Sequence, residues 1–275
     1  MKIKTASGAM ALAAFLFLNA PDTSGPYTDS QGQTWDQLPK LSDYPDAATF
    51  DALFAHELFT TVDGNQFQID RPWTPQELAY NEFLAGMTDL SGGNSGGGLR
   101  ATVNCNHPAD EEYIASFPNI PAVRAFAIGV VNIADASMNA QWGINLVPRK
   151  GCLWDSNDSA DIVQLLDEAY RECGGLAGQD LMMAFSNDPT PGGAIGVGYI
   201  GLPRNLVKKY STQTTQGAIA EHETGHNYTL QHCCDGNCIM QAVLDLGALG
   251  NFHSYQENCS GQNHSAVMNA QRNRY

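Results

Sequence analysis

Two histidines four residues apart, His222 and His226, with Glu223 beside the first, set the tightest condition on how this chain can fold. On an α-helix, residues i and i+4 share a face, so both imidazoles point to one spot and Glu223 stands one step round. Two neutral ring nitrogens suit a divalent metal, zinc above all, and the carboxylate is placed to take a proton from water at that metal. A tetrahedral zinc that performs chemistry has three protein ligands and one open position. His232, six residues beyond His226, is the third ligand this spacing offers, and it requires the chain to leave the helix and turn back. Glu257 is the sole downstream glutamate, but no helical pattern surrounds it, which makes it the weaker alternative.

The segment GAIAEHETGHNYTLQHCCDGNCIM, residues 217–240, resembles the signature of the metzincin zinc peptidases, and Cys238-Ile239-Met240 resembles their Met-turn. DLMMAF, GGAIGVGYIGL and AEHETGHN in that order are similar to the reprolysin (adamalysin) branch, and the HC-x4-C-x-M run from His232 to Met240 resembles archaemetzincins. The resemblance covers roughly residues 98–260. It implies an α/β (α+β) fold with a mixed twisted sheet, packed helices, an active-site helix and a small C-terminal subdomain. It also implies one catalytic Zn²⁺ on His222, His226 and His232, Glu223 as general base, Met240 packed under the metal, and protein or peptide substrates. Within that clan an edge strand holds the substrate by β-augmentation, which assigns this role to Ile195, Gly196, Val197, Gly198 and Tyr199. Three departures stand out. Thr229 replaces the glycine whose positive φ lets the chain turn, Cys233 follows the third histidine where reprolysins have aspartate, and Cys259 lacks the CxxC partner of archaemetzincins.

Periodicity lays out the rest of the chain. Thr74-Pro75-Gln76-Glu77 is a capping box, and Tyr80, Phe83, Leu84 and Met87 follow at the spacing of one apolar helix face. SGGNSGGG at 91–98 cannot carry a core, which places a boundary there between an N-terminal extension or propeptide, 21–97, and a catalytic domain, 98–275. Beyond it, strands are expected at 99–105, 144–149, 180–186 and 194–201, and helices at 122–138, about 162–170 and 217–230. That alternation is an α/β sandwich.

The first twenty residues, two lysines and a short apolar run before NAP, read as a secretory signal, and no other run is expected to span a membrane. Export fits the seven cysteines, two or three disulfides being expected with at least one cysteine left over, and Cys105 reads as an ordinary disulfide partner rather than a zinc-blocking thiol. Cys233, Cys234, Cys238 and Cys259 are expected to pair rather than to hold a second, structural zinc. His56, His107, His253 and His264 read as lone solvent-facing residues. Fourteen basic against twenty-nine acidic residues, net charge −15, disfavour nucleic acid and anionic membranes. A secreted monomeric zinc endopeptidase is therefore expected. The alternative is a secreted, disulfide-stabilised binding protein whose zinc is structural or whose site has decayed, its mark being a closed fourth position.

Overall fold

The computed structural model describes residues 25–87, 101–189, 193–234 and 236–275. The secretory signal and the glycine run fall outside the described residues.

The main sheet has five strands: β5 (Ala101–Asp110), β6 (Ile144–Trp154), β7 (Leu181–Ser186), β8 (Gly196–Gly198) and β9 (Arg204–Lys208), in the order β6-β5-β7-β9-β8. Its first four members in that order run parallel, and β8 closes the edge antiparallel to β9. β7 shows why the sheet is buried on both faces. Leu181, Met183 and Phe185 enter one core with α4 (Ile120–Trp142) and α6 (Gln213–Asn227), while Met182 and Ala184 enter another with α5 (Ile162–Glu172). Alternating apolar residues on a strand covered on both sides produce this division.

The expected mixed sheet is present, with two differences. β9 is a strand beyond those expected, and it pairs with β7 from Met182↔Arg204 to Ser186↔Lys208. α6 begins at Gln213, where the Thr212 side chain caps Thr215 N at 3.1 Å, and ends at Asn227 rather than running on to Leu230. α4 is long and apolar enough to pass a length-and-composition test for a membrane span, which corrects the expectation that no further run would. Its Val123, Val130, Val131, Ala134 and Met138 are packed into the core.

Residues 25–87 form a four-stranded antiparallel sheet, β2-β1-β3-β4, from β1 (Tyr27–Thr28), β2 (Thr34–Trp35), β3 (Phe59–Thr60) and β4 (Gln66–Phe67), with α1 (Ala47–Phe54) and α2 (Pro75–Met87). Both halves of the predicted capping box form, Glu77 N donating to Thr74 Oγ1 at 3.3 Å and Thr74 N to Glu77 Oε2 at 2.7 Å. The predicted apolar face of α2 is corrected: Tyr80, Phe83 and Met87 are exposed. The helix is turned by Asn81 instead, whose side chain accepts Leu246 N at 2.8 Å and donates to Glu77 O at 2.9 Å.

Disulfides join Cys152 to Cys173 and Cys234 to Cys259. Cys105 keeps its thiol inside the core, against expectation, and burial pushes its pKa up to about 12. α7 (His264–Gln271) closes the chain.

Candidate metal centre

α6 carries the first two candidate ligands. His222 Nε2 lies 3.1 Å from His226 Nε2, and 3.2 Å from His232 Nε2, so the spacing-based triad meets at one point. The turn that brings His232 back is a Schellman motif, with Leu230 N donating to Gly225 O at 3.1 Å and Thr229 N to His226 O at 2.8 Å. Thr229 adopts φ +75°, so this chain builds the glycine turn with a β-branched residue rather than avoiding it. Beneath α6, a β-carbon at Gly225 would collide with Met240 Sδ, which explains the glycine inside the motif and places Met240 under the histidines.

Each ring is oriented by a carbonyl on its Nδ1: Ile239 O for His222 at 2.7 Å, Leu230 O for His226 at 2.8 Å and Ala55 O for His232 at 2.7 Å. A carbonyl only accepts, so each Nδ1 carries a proton and each ring turns its Nε2 inward. Three ring nitrogens converging on one point fit a cation. A tetrahedral zinc on nitrogen ligands at about 2.0–2.1 Å matches this donor set.

A fourth donor converges on the same point. Asp70, which no sequence pattern singles out, sets Oδ1 3.0 Å from His222 Nε2 and 2.9 Å from His232 Nε2, and is 1% exposed. Burial alone would lift its pKa, but the two histidines hold it well below the usual carboxylate range. Glu223 is fully buried, and burial with Asp70 as neighbour drives its pKa well above the usual value. Among the described residues, the buried Glu223 carboxyl has no hydrogen-bond partner other than the Asp70 carboxylate beside it.

The expected edge strand lies beside this centre. A β-carbon at Gly196 would run into the Glu223 carboxylate, and one at Gly198 into the Glu223 backbone, so the glycines let β8 lie directly on α6. The outer edge of β8 is covered: Ile195 N donates to Asp70 O at 3.3 Å, and Ile200 N to Gln66 O at 2.8 Å. Ile195 and Val197 enter the two cores, and the Tyr199 ring turns to α5, donating to Asp167 at 2.9 Å. Asn227, following the second ligand, ties α6 to this hairpin. It donates to Tyr199 O at 3.2 Å and Arg204 O at 2.9 Å, and accepts from Asn205 Nδ2 at 2.7 Å.

Glu257 stands away from the centre, accepting from Cys259 N and Ser260 N at 2.7 and 2.5 Å. Of the histidines expected in solvent, His56 is exposed, whereas His253 and His264 are buried and the His107 ring nitrogens are enclosed. Each has an apolar sequence setting only through distant residues, which periodicity does not show.

A helix bearing HExxH, a third histidine returned by a tight turn and a methionine beneath them is the metzincin arrangement on a mixed α/β sheet. The model of the metallo-peptidase family M12, of reprolysin type, matches residues 100–275, and the chain belongs to that family. No curated protein matches the chain significantly. A chain from a solved structure described as a chaperone-substrate complex aligns at 14% identity and TM-score 0.45, below the level of a shared fold. The alignment covers 80% of this chain and 36% of that one.

Proposed function

We propose that this chain is the exported precursor of a zinc endopeptidase, in which residues 25–87 hold the site shut. The observation that carries the proposal is the Asp70 carboxylate, seated against the three histidines in the position a catalytic centre must leave for water. The backbone from Gln66 to Asp70 lies antiparallel to the β8 edge, where a substrate strand would pair, so the same segment fills the metal position and the cleft. Two disulfides support export.

Zinc on His222, His226 and His232 would acidify a water and polarise the scissile carbonyl. Glu223 takes the proton of the attacking water and returns it to the leaving amine. Its raised pKa, from burial with Asp70 alongside, belongs to the closed form; withdrawal of Asp70 removes a neighbouring negative charge and favours the carboxylate that acts as base. The β8 backbone holds the peptide extended, and the Gly196 contact brings that strand within reach of Glu223.

A second reading has its own observation. Four buried protein donors make a closed set, which is the mark of a structural zinc, and Ala55 O and Gln68 hold His232 from within the N-terminal segment. The two separate on one experiment. Full-length protein and protein freed of residues 25–87 are each measured for zinc content and for cleavage of a peptide library. A precursor binds zinc in both forms and cleaves only when freed, and Glu223→Ala abolishes cleavage while zinc stays. Zinc lost on removing the segment, or no cleavage by the freed form with zinc bound, establishes the structural reading.

A further inference from the structure

Outside the three-histidine centre, one other buried cluster among the described residues gathers two sulfurs and two imidazoles: Cys233, Cys238, His253 and His264, whose ligating atoms all lie within 4.8 Å of one another. All four residues are buried, none more than 7% exposed. The Cys233 thiol hydrogen-bonds Cys238, and Cys238 Sγ lies 3.3 Å from His264 Nδ1. The two rings stack with centroids 4.0 Å apart.

A structural explanation of the four side chains has to dispose of their polar atoms. His253 Nδ1 meets Tyr255 O at 2.9 Å, so it carries the proton and leaves a lone pair on Nε2. That buried Nε2 has no hydrogen-bond partner among the described residues. A cysteine pair held for a disulfide is a poor account, because the adjacent Cys234 is bridged to Cys259 while Cys233 and Cys238 are not bridged. Sulfur and nitrogen ligands around a tetrahedral zinc, at about 2.3 and 2.1 Å from the ion, stand about 3.6 Å apart, close to the spacing found. Two thiolates and two neutral imidazoles also cancel the charge of a divalent ion, which a buried site requires.

We propose that Cys233, Cys238, His253 and His264 form a second, structural metal site that takes a tetrahedral divalent ion, zinc by its ligand chemistry. The ligands follow the spacing C-x4-C-x14-H-x10-H. The site has a place in the fold: Cys233 follows His232, Cys238 stands two residues before Met240, and His264 opens α7. Cys233 N also donates to Met240 O at 2.9 Å. The ion clamps the third ligand's loop, the turn beneath the first centre and the last helix to one another. It replaces the expectation of a single zinc.

The test is metal content and sulfur ligation of full-length protein. Elemental analysis after reconstitution reads two zincs per chain in the wild type and one in Cys238→Ser. The variant His222→Ala/His226→Ala, which leaves this cluster intact, also reads one. Cobalt substitution gives a thiolate-to-metal charge-transfer band in the wild type and in the double histidine variant. Should Cys238→Ser not fold, zinc-edge X-ray absorption on the wild type decides alone, two sulfurs shared over two zincs being expected. One zinc with no sulfur neighbour, or a Cys233–Cys238 disulfide in the unreduced peptide map, overturns the proposal. Loss of the three-histidine centre would instead leave one zinc with two sulfurs, so the two failures are distinct.

Discussion

Thr229 concentrates the local strain of the metal centre in one residue. A β-branched side chain at φ +75° costs about 1–3 kcal/mol, and a glycine there would relieve it at an entropic cost of about 0.5–1 kcal/mol. The Schellman hydrogen bonds are backbone to backbone and survive the change. Thr229→Gly is therefore expected to stabilise the protein by about 1 kcal/mol, a rise of a few degrees in Tm, with zinc content unchanged. A melting temperature below that of the wild type would show that the threonine side chain is supporting the turn. Glu257 governs the loop opposite. Burial alone would raise its pKa, but hydrogen bonds from Ser260, Cys259 and Cys234 outweigh it and bring the folded value down to about 2. Its contribution is whole above the ordinary value of 4.5 and falls away as pH drops from there towards 2. In thermal melts across that window, Glu257→Gln should flatten the acid decline, and an unchanged slope would remove the carboxylate from the account.

α6 and the β8–β9 hairpin act as one unit because Asn227 satisfies three polar groups between them. Asn227→Leu would bury Tyr199 O, Arg204 O and the Asn205 amide without that partner, each worth about 1–3 kcal/mol. The expected loss is about 3 kcal/mol, read by chemical denaturation, and a loss under 1 kcal/mol would mean that water replaces the side chain. Asn227-Tyr228-Thr229 has the sequence of a glycosylation acceptor, but the same burial leaves no place there for a glycan. This element also shows what a sequence can reveal. His222, Glu223, His226 and His232 were legible because helix period and a short turn fix them within eleven consecutive residues. Asp70 was not, since it reaches His232 across 162 positions and belongs to no local pattern. α2 was legible in its cap and misread in its face, because the Asn81 contacts to Leu246 and Leu244, far along the chain, overrule its apolar stripe. His253 and His264 were misread for the same reason, their burial being decided by the Cys233–Cys238 turn they pack against.

At the scale of the whole molecule, residues 25–87 and 101–275 share a core, and this bears on how the proposed precursor opens. Tyr27, Phe50, Phe54, Phe59 and Phe67 pack in one cluster with Ile162, Val163, Leu166, Val197 and Tyr199, and Tyr27 donates to Asp161 at 2.5 Å. Several fully buried aromatic side chains, each worth about 1.5–3 kcal/mol by transfer, hold the two parts together without the covalent link. Arg71 stiffens the blocking end from within the segment, pairing with Asp51 at 2.6 Å and Glu77 at 2.8 Å beside Asp70. A cut in the glycine run at 91–98 should therefore nick the chain without opening the site. In gel filtration the two fragments are expected to elute together and inactive, and activity should appear only when the smaller fragment is degraded or stripped by mild denaturant. Arg71→Ala, which frees the blocking end while sparing the aromatic cluster, should raise the activity of the nicked form before the fragments part. Full activity on nicking alone, with both fragments still together, would mean that Asp70 leaves the histidines once the backbone is cut and that the shared core plays no part in latency.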